Sequence, residues 1–346
     1  DIHSCRWVQQ NNEYEIFKLS RRLVGSSCKI TKNMNEVSLL SIIVPNYNAG
    51  EFVSSFIESI KVQTYINWEL IFVDDGSTDN SLSIIKRYAS CDSRIRVYER
   101  TELPKGACAC RNMGFDLSLG EYVCFFDSDD LLPPDSLENR MKELQQDPKL
   151  DFVVSPAISF REEPYDIKKL VLGIPLFKDD LSMFLKRYRL PFGVWTNTYK
   201  KSFLQECDIR WDVSLSSLQD SDYNIQTLLK TPNYKYSINQ EPVYYWRVYG
   251  NPDSITKKIK TKKNLESQVY FYSKLYRIFQ ETKYVKPLRR FGLTILLRCA
   301  HFGYNGDTRI LASSKWDLLR YKILKHVYRV NILRNFSLIL NLLFFP

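Results

Sequence analysis

The sequence predicts an α/β fold in which a mostly parallel sheet is covered by helices on both faces. Short apolar runs alternate with segments of helical periodicity from about residue 39 onward, and this alternation is typical of parallel strands joined by helices. The chain has 346 residues, 44% of them hydrophobic and 14% aromatic, so it can bury a large core. A helical region is expected to follow the α/β part.

Four short apolar runs are predicted to form the first strands, because a helical pattern separates each run from the next. These strands are predicted at residues 39–45, 68–74, 94–99 and 121–126, with helices between them at about 51–62, 78–89 and 107–118. Residues 151–160 are predicted to form one more strand.

The charge of the chain is unevenly distributed. Residues 257–346 hold 19 Lys and Arg against 4 Asp and Glu, a net +15, whereas residues 1–256 hold 30 against 35, a net −5. A basic tail predicts an anionic partner, either nucleic acid or the head groups of a membrane. In residues 315–346, apolar side chains recur at helical spacing between basic ones. This segment is predicted either to lie on a membrane surface or to be a helical subdomain packed on the rest of the chain or on another subunit.

Several classes of protein are disfavoured by the composition. The eight cysteines are scattered without a CxxC pair, which favours reduced thiols over a disulfide framework or a zinc site. His3, His301 and His326 are far apart in the sequence, so neither a histidine metal centre nor a catalytic triad is expected. We expect no signal peptide, and no run reaches the roughly 18–20 apolar residues that span a membrane. A cytoplasmic protein is therefore predicted.

Polar side chains follow three of the predicted strands, at residues 45–48 (PNYN), 74–78 (DDGST) and 127–130 (DSDD). In parallel sheets, ligands bind at the carboxyl ends of the strands. The last of these segments crowds Asp127, Asp129 and Asp130 into four positions, and carboxylates this close resist ionising together unless a cation neutralises them. The DxD pair Asp127 and Asp129 suits Mg²⁺ or Mn²⁺, with coordination positions left for phosphate oxygens.

Three blocks of sequence carry a resemblance to a known family, at residues 41–81, 105–137 and 219–223. In these blocks the chain resembles the family 2 inverting glycosyltransferases, which have the GT-A fold. The resemblance implies a GT-A catalytic domain at 39–256, with a nucleotide-sugar-binding half at 39–155 and an acceptor half at 156–256. Residues 1–38 would be an extension of unknown role, and 257–346 a basic, mainly helical region.

The resemblance implies a role for several residues of the donor-binding half. Pro45 and Tyr47 would line the nucleotide base, and Asp75 would accept a hydrogen bond from it, with Asp74 supporting the turn. Asp127 would lie by the ribose and the water shell of the metal, and Asp129 would be a ligand of the divalent cation, Mn²⁺ or Mg²⁺.

Asp130 is given a supporting role only. Arg111 and Asn112 resemble a pair carried by a helix beside the donor pocket, the alternative being a helix surface with a cap. Arg247 would help to neutralise the charge of the diphosphate.

The general base is expected in the acceptor half, where residues 219–223 (QDSDY) resemble the family's ED block. Asp220 is the first candidate and Asp222 the second, while the alternative for Asp220 is a helix cap. An inverting transfer needs such a carboxylate to take the proton of the acceptor hydroxyl. Gln219 stands where glutamate is usual and Tyr249 near the place of a usual histidine, so this chain departs from the family pattern at two positions.

The resulting hypothesis is a glycosyltransferase that moves a sugar from a nucleotide-diphosphate donor, expected to be a UDP-sugar, to a glycan or lipid-linked acceptor during cell-surface polysaccharide synthesis. It would lie at the inner face of the plasma membrane. The main alternative is a scaffold that binds sugar nucleotides without turnover. Nucleic-acid binding rests on the basic tail alone and is not expected. A phosphotransferase with Asp127 as nucleophile is disfavoured by the other blocks.

Overall fold

The main sheet contains seven strands in the order β3-β2-β1-β4-β8-β5-β9, and a small sheet contains three in the order β10-β6-β7. The computed structural model describes residues 38–166, 171–186, 190–239, 241–248, 262–301, 304, 307–312, 317–318 and 321–322. The strands are β1 (Leu40–Asn46), β2 (Trp68–Asp74), β3 (Ile95–Glu99), β4 (Tyr122–Phe125), β5 (Phe152–Val154), β6 (Ala157–Phe160), β7 (Val171–Leu172), β8 (Asn197–Lys200), β9 (Tyr234–Tyr236) and β10 (Tyr245–Arg247).

The helices of the described residues lie between these strands and after them. They are α1 (Val53–Lys61), α2 (Ser81–Cys91), α3 (Ala107–Leu117), α4 (Ser136–Gln146), α5 (Asp180–Lys186), α6 (Lys201–Glu206), α7 (Gln219–Lys230), α8 (Lys262–Phe279) and α9 (Val285–His301). Short 3₁₀ turns cover Val194–Thr196 and Arg309–Leu311.

The first four strands are parallel, and their positions confirm the predicted α/β fold. β1 pairs with both β2 and β4, and β2 pairs with β3. Each of the four strands agrees with its predicted range to within one residue at either end. Because the strand order reverses between β1 and β4, the chain forms a crevice outside the carboxyl ends of these two strands, where ligands bind in open α/β sheets.

The prediction of one strand over residues 151–160 is wrong. The segment forms two strands, and Ser155 and Pro156 separate them. β5 lies in the main sheet between β8 and β9, whereas β6 pairs with β10 and β7 in the small sheet. Proline has no N–H to donate to a neighbouring strand, so the chain leaves the main sheet at this point.

The second half of the main sheet is mixed. β8 is antiparallel to both β4 and β5, whereas β9 is parallel to β5. β8 therefore links the donor-binding half predicted from the sequence to the strands that follow residue 150.

The hydrophobic core runs from the sheet into the C-terminal helices without a break. Phe125 of β4, Tyr199 of β8 and Tyr223 of α7 belong to the same buried cluster as Phe271 of α8 and Leu288 of α9. Side chains of this size contribute about 1.5–3 kcal/mol each when buried. The described part of the C-terminal region is thus packed on the α/β body.

Some predicted features lie outside the described residues. These are the N-terminal extension up to residue 37, Tyr249, the lysine-rich segment from residue 257 to 261, and most of the helical pattern at 315–346. Within the part of the chain that the structure describes, every helix is too short or too polar to cross a bilayer.

Candidate active site

The carboxylate of Asp74, at the end of β2, shapes the turn that follows it. Its Oδ2 accepts hydrogen bonds from the backbone N–H groups of Gly76 at 3.0 Å and Ser77 at 2.9 Å. Its Oδ1 accepts one from Asn46 Nδ2 at 2.7 Å, across the β1–β2 pair. Gly76 has a φ of 81°, a conformation that costs glycine little. Asp74 is buried, and its carboxylate oxygens accept hydrogen bonds from protein groups, so it stabilises the conformation of this turn.

The neighbouring Asp75 forms a buried ion pair with Arg100. Arg100 Nη1 lies 2.7 Å from Asp75 Oδ1, and Gly106 N donates to Asp75 Oδ2 at 2.6 Å. Lys105 Nζ donates to the backbone oxygen of Asp75 at 3.0 Å. A carboxylate has about four lone-pair positions, so Asp75 retains acceptor capacity for a further donor. The carboxylate is thus held in one orientation at the strand end.

The loop after β1 is fastened to the loop after β2 and leaves Tyr47 at the surface. Asn48 has a φ of 50°, its N–H donates to Ser77 Oγ at 3.0 Å, and its Oδ1 accepts from Thr78 N at 2.8 Å. The side chain of Tyr47 is 48% exposed, and Pro45 is half-buried. An exposed ring on a fixed loop can pack against a flat ligand.

Residues 127–130 after β4 form a turn that we call the acidic turn, and Asp130 holds this turn to the protein interior. It is buried, and its two oxygens accept hydrogen bonds from the Tyr244 hydroxyl and from Arg247 N, each at 2.7 Å. Burial and the charges of Asp129 and Asp127 raise the pKa of Asp130 well above its usual value. Asp130 therefore fixes the turn from the buried side and does not face the crevice.

A cluster of rings supports this anchor. Tyr244 stacks on Trp195 with ring centres 5.3 Å apart and an angle of 12°, and it packs against Phe126 at 5.0 Å. The guanidinium of Arg140 lies 5.0 Å from the ring centre of Phe126 and 5.7 Å from that of Tyr244. The same group donates to the backbone oxygens of Trp195 and Thr196. Arg140 is thus satisfied, although it is completely buried.

Asp129 is half-buried at the rim of the acidic turn. Burial and the neighbouring Asp127 raise the pKa of Asp129 to about 6, against the opposing effect of Arg247. Arg247 Nε donates to the backbone oxygen of Asp129 at 2.7 Å, and its guanidinium lies over the ring of Phe160 at 4.3 Å. Arg247 is therefore held beside Asp129, where its charge acts on the same carboxylate.

Arg111 of α3 joins the acidic turn to the start of α7. Its Nη2 lies 2.6 Å from Asp127 Oδ1, and its guanidinium lies 4.3 Å from the ring centre of Trp211. Burial lowers the pKa of Arg111, but the charges of Asp127 and Asp220 outweigh this effect and raise it above the usual value. Arg111 is 7% exposed, and its Nε and Nη1 have no hydrogen-bond partner among the described residues. Arg111 thus binds Asp127 directly and also feels the charge of Asp220.

Asn112, the next residue, holds the Trp211 backbone. Its Nδ2 donates to Trp211 O at 2.8 Å, and its Oδ1 accepts from Trp211 N at 3.0 Å. The indole of Trp211 also stacks on Tyr223, with ring centres 4.4 Å apart. Asn112 therefore positions the ring that lies against Arg111.

The two candidate bases point in different directions. Successive residues of a helix are turned by about 100°, so Asp220 and Asp222 in the first turn of α7 are about 200° apart around the axis. Asp220 is half-buried and interacts with Arg111. Asp222 is 2% exposed and lies 2.8 Å from Lys274 Nζ of α8. Gln219 Nε2 donates to the backbone oxygen of Leu215 at 2.7 Å. The charge of Asp220 thus acts on Arg111, whereas Asp222 is bound by Lys274 on the other side of α7.

The donor atoms of this edge fit a divalent cation only in part. Among the described residues, no group of three or more His, Cys, Asp or Glu side chains could hold a metal ion by itself. Asp127 and Asp129 supply carboxylate oxygens, and burial together with the charge of Asp127 raises the pKa of Asp129, an effect that a bound cation would oppose. Hard cations accept such oxygens together with those of a phosphate, so the site fits a cation that arrives with a phosphorylated ligand.

The aromatic residues between 188 and 249 pack mainly in the core. Of the described rings in this segment, Phe192, Trp195, Tyr199, Phe203, Trp211, Tyr223 and Tyr244 are buried. Tyr234, Tyr236, Tyr245 and Trp246 are half-buried. Packing in the core is thus the main role of these rings.

Three residues of the site were not found from the sequence. Arg100 pairs with Asp75, Tyr244 binds Asp130, and Lys274 binds Asp222. Each lies 25 or more residues away from its partner along the chain, so no local pattern indicates the contact.

The order of the sheet and the acidic ends of its strands define an α/β protein of the GT-A class. Residues 41–207 match the model of glycosyl transferase family 2. Residues 41–207 thus form a domain of this family.

Curated relatives of the chain carry glycosyltransferase names. "Glycosyltransferase GlyG" of Streptococcus pneumoniae is 34% identical over 145 residues, 42% of this chain and 48% of that protein. "Uncharacterized glycosyltransferase YibD" of Escherichia coli is 29% identical over 256 residues, 72% of each chain. "Putative teichuronic acid biosynthesis glycosyltransferase TuaG" of Bacillus subtilis is 37% identical over 108 residues, 31% of this chain and 42% of that protein. The chain thus spans about half of GlyG.

Two solved structures have the same fold. The match with Staphylococcus aureus TarS in complex with UDP-GlcNAc has a TM-score of 0.54 and 18% identity, and covers 86% of this chain and 93% of that one. The match with the mannosyltransferase PcManGT of Pyrobaculum calidifontis, in complex with GDP-Man and Mn²⁺, has a TM-score of 0.54 and 18% identity, and covers 92% and 91%. These likenesses support the GT-A fold.

Proposed function

We propose that the protein transfers a sugar, with inversion, from a nucleotide-diphosphate sugar to a glycan or lipid-linked acceptor. The observation that carries this proposal is the position of Arg111, whose Nη2 lies 2.6 Å from Asp127 Oδ1 of the acidic turn. The charges of Asp127 and Asp220 raise the pKa of Arg111. An inverting transfer needs acidic residues that bind the donor and, in the same crevice, a separate carboxylate that takes the proton of the acceptor hydroxyl.

In the proposed mechanism, Asp220 acts on the acceptor, and Tyr47 and Asp75 bind the donor. Asp220 accepts the proton of the acceptor hydroxyl as that oxygen attacks the anomeric carbon. Tyr47 packs on the nucleotide base, while Asp75 accepts a hydrogen bond from it. Arg111 supplies a positive charge that acts on both Asp127 and Asp220.

Asp129 and Asp127 would hold a divalent cation, Mn²⁺ or Mg²⁺. When bound, this cation stabilises the charge of the departing diphosphate. Arg247, beside Asp129, adds a fixed positive charge at the same edge.

The expected donor is a UDP-sugar, and the expected process is synthesis of a cell-surface polysaccharide. Support comes from the fold shared with TarS bound to UDP-GlcNAc and from the relative TuaG, which is named for teichuronic acid biosynthesis. The fold shared with PcManGT, bound to GDP-Man and Mn²⁺, makes GDP-mannose the second donor to test.

The alternative is a protein that binds sugar nucleotides without turnover. It draws on Gln219, whose amide is bonded to Leu215 O where the family usually has glutamate. Asp220, half-buried beside Arg111, argues against this alternative.

The test is release of nucleoside diphosphate from UDP-GlcNAc, UDP-glucose, UDP-galactose and GDP-mannose by the purified protein, with Mn²⁺ and with EDTA. We expect Asp220→Asn to lower turnover by about 10²–10⁴-fold, the usual contribution of a general base, while UDP or GDP affinity stays within about threefold. Asp116→Asn, at an exposed residue of α3, is the matched control. Metal-dependent binding of a donor without turnover would favour the scaffold, and full activity of Asp220→Asn would exclude this base.

We also propose that the protein binds the anionic inner face of the plasma membrane. The described residues support this with an exposed basic face on α9, formed by Lys286, Arg289 and Arg290. The buried face of the same helix includes Leu288, Phe291 and Ile295. Basic residues near anionic lipid contribute about 1 kcal/mol each, so three of them strengthen binding by about 10²-fold.

Co-sedimentation with vesicles tests this second proposal. Vesicles containing phosphatidylglycerol should pellet the protein at low salt, and those of phosphatidylcholine should not. Replacing the three basic residues of α9 by glutamine should reduce binding strongly, whereas the control replacement of Lys86, Arg87 and Lys149, which are also exposed, should not. Equal binding to duplex DNA would favour a nucleic-acid partner instead.

A further inference from the structure

The C-terminal helix α8 holds the segment that leads to Asp220. Ser216 N and Ser217 N both donate to Ser267 Oγ, at 3.1 and 3.2 Å. Ser216 Oγ donates to Asn264 Oδ1 at 2.8 Å. These bonds join residues about 50 positions apart in the sequence, so α8 fixes the chain immediately before α7.

The same segment contains a backbone conformation that needs support. Leu218, the residue before α7, has a φ of 64°, in the left-handed region that side chains other than glycine rarely adopt. Such a conformation costs of order 1 kcal/mol and persists where its surroundings hold it. Contacts with α8 on one side and the first turn of α7 on the other supply that constraint.

A second link from α8 reaches the first turn of α7 itself. Lys274 Nζ lies 2.8 Å from Asp222 Oδ1 and 3.0 Å from Asp212 Oδ2. The hydroxyl of Tyr270 donates to Asp212 Oδ2 at 3.1 Å, and Gln226 Nε2 donates to Asp222 Oδ2 at 2.7 Å. We call Lys274, Asp212 and Asp222 the lysine clamp.

The charges of the clamp depend on one another. Burial raises the pKa of Asp222, and Lys274 opposes this effect. For Asp212 the tendency of burial to raise the pKa is outweighed by the hydrogen bond and charge of Lys274, so the pKa is lowered. Removing one partner of a buried ion pair leaves an uncompensated charge. Without Lys274, the buried charge of Asp222 is uncompensated, and a movement of this carboxylate towards water would displace the first turn of α7.

We infer that Lys274 is a positioning residue of the transfer reaction, which acts through the lysine clamp to hold the first turn of α7, and with it Asp220, in place. This inference rests on the proposed role of Asp220 as the base. Lys274 does not contact the acidic turn: it binds the face of α7 turned about 200° from Asp220. The C-terminal region is then a working part of the acceptor side of the active site.

The activity test compares Lys274→Met with Lys274→Arg, Arg277→Met and the double variant Lys274→Met with Asp222→Asn. UDP-GlcNAc and GDP-mannose, each with Mn²⁺, are the donors. We expect Lys274→Met to lower kcat at least tenfold, with the donor KM and the affinity for UDP or GDP unchanged. Lys274→Arg should restore most of kcat, and the double variant should exceed Lys274→Met. Arg277→Met removes an exposed charge from the same helix and should match the original protein.

Hydrogen exchange of the full chain gives a readout that does not require activity. Backbone amides at 216–222 should exchange at least tenfold faster in Lys274→Met, and at the original rate in Arg277→Met. Unchanged exchange in Lys274→Met overturns the inference, as does a kcat equal to that of the original protein. If Asp220→Asn stays active while exchange at 216–222 responds to Lys274, the clamp exists but the proposed base is wrong.

Discussion

Replacing Tyr244 by phenylalanine removes one oxygen atom from beneath the acidic turn and leaves the ring in place. The hydroxyl donates to Asp130 Oδ2 at 2.7 Å and accepts from Asp127 N at 3.3 Å. Tyr244 and Asp130 are both buried, so water cannot replace the lost partner without opening the site. The stacking of Tyr244 on Trp195 does not depend on the hydroxyl.

The expected loss of stability follows from these two hydrogen bonds. Leaving the buried Asp130 oxygen without its partner costs about 1–3 kcal/mol, and more if the group is charged, while a hydrogen bond between neutral groups contributes about 0.5–1.5 kcal/mol. The bond to Asp127 N is long, so its contribution lies at the low end of that range. The sum is about 2–4 kcal/mol. The hydrogen bond from Tyr244 also lowers the pKa of Asp130, so its loss raises that pKa further.

Thermal unfolding provides the measurement. At about 2 °C per kcal/mol for a large domain, Tyr244→Phe should lower the Tm by about 4–8 °C. Tyr276→Phe is the control, since this half-buried ring stacks on Tyr272 with centres 5.9 Å apart, and it should shift the Tm by less than 2 °C. Equal Tm values for Tyr244→Phe and the original protein would refute the idea that the hydroxyl anchors the turn.

Two further predictions concern α3. Gly114→Ala should destabilise the protein by about 1–3 kcal/mol through overpacking, because a Cβ at Gly114 would lie 2.4 Å from Ile43 Cγ2 on the buried β1. Chemical denaturation, with Ser83→Ala as the control, measures this loss of stability. Equal denaturation midpoints for Gly114→Ala and the original protein would contradict it. Burial raises the pKa of the Cys108 and Cys110 thiols to about 12, so both should react with DTNB at pH 8 about 100-fold more slowly in the native than in the denatured protein. Mass mapping that finds both thiols fully modified within minutes would contradict this second prediction.

The parallel half of the fold could be predicted because its signals are local. β1, β2 and β4 are continuous apolar runs, as strands buried on both faces require. β8 was not predicted, since its residues (NTYK) contain no apolar run. Pro156 does interrupt residues 151–160, and a proline inside an expected strand was a signal for the break.

The candidate site was predictable where strand ends place side chains and unpredictable where distant residues decide their orientation. Asp74, Asp75 and Asp127 follow directly from the ends of β2 and β4. Asp220 and Asp222 have the same residue type and lie two positions apart. Only the partner on α8, Lys274, shows which of them faces the core. Such a contact depends on how α8 packs, and a single sequence does not contain that information.

The break at Ser155 and Pro156 has a mechanical consequence for the acidic turn. The small sheet that begins there contacts the turn through the backbone pairing of Leu131 with Tyr245 and through the bonds from Arg247 N to Asp130 and from Arg247 Nε to the backbone oxygen of Asp129. β10 in turn is held by β6. A substitution in residues 157–160 that weakens this pairing is therefore expected to shift carboxylates about 30 positions earlier in the chain. The small sheet thus limits how far the acidic turn can move.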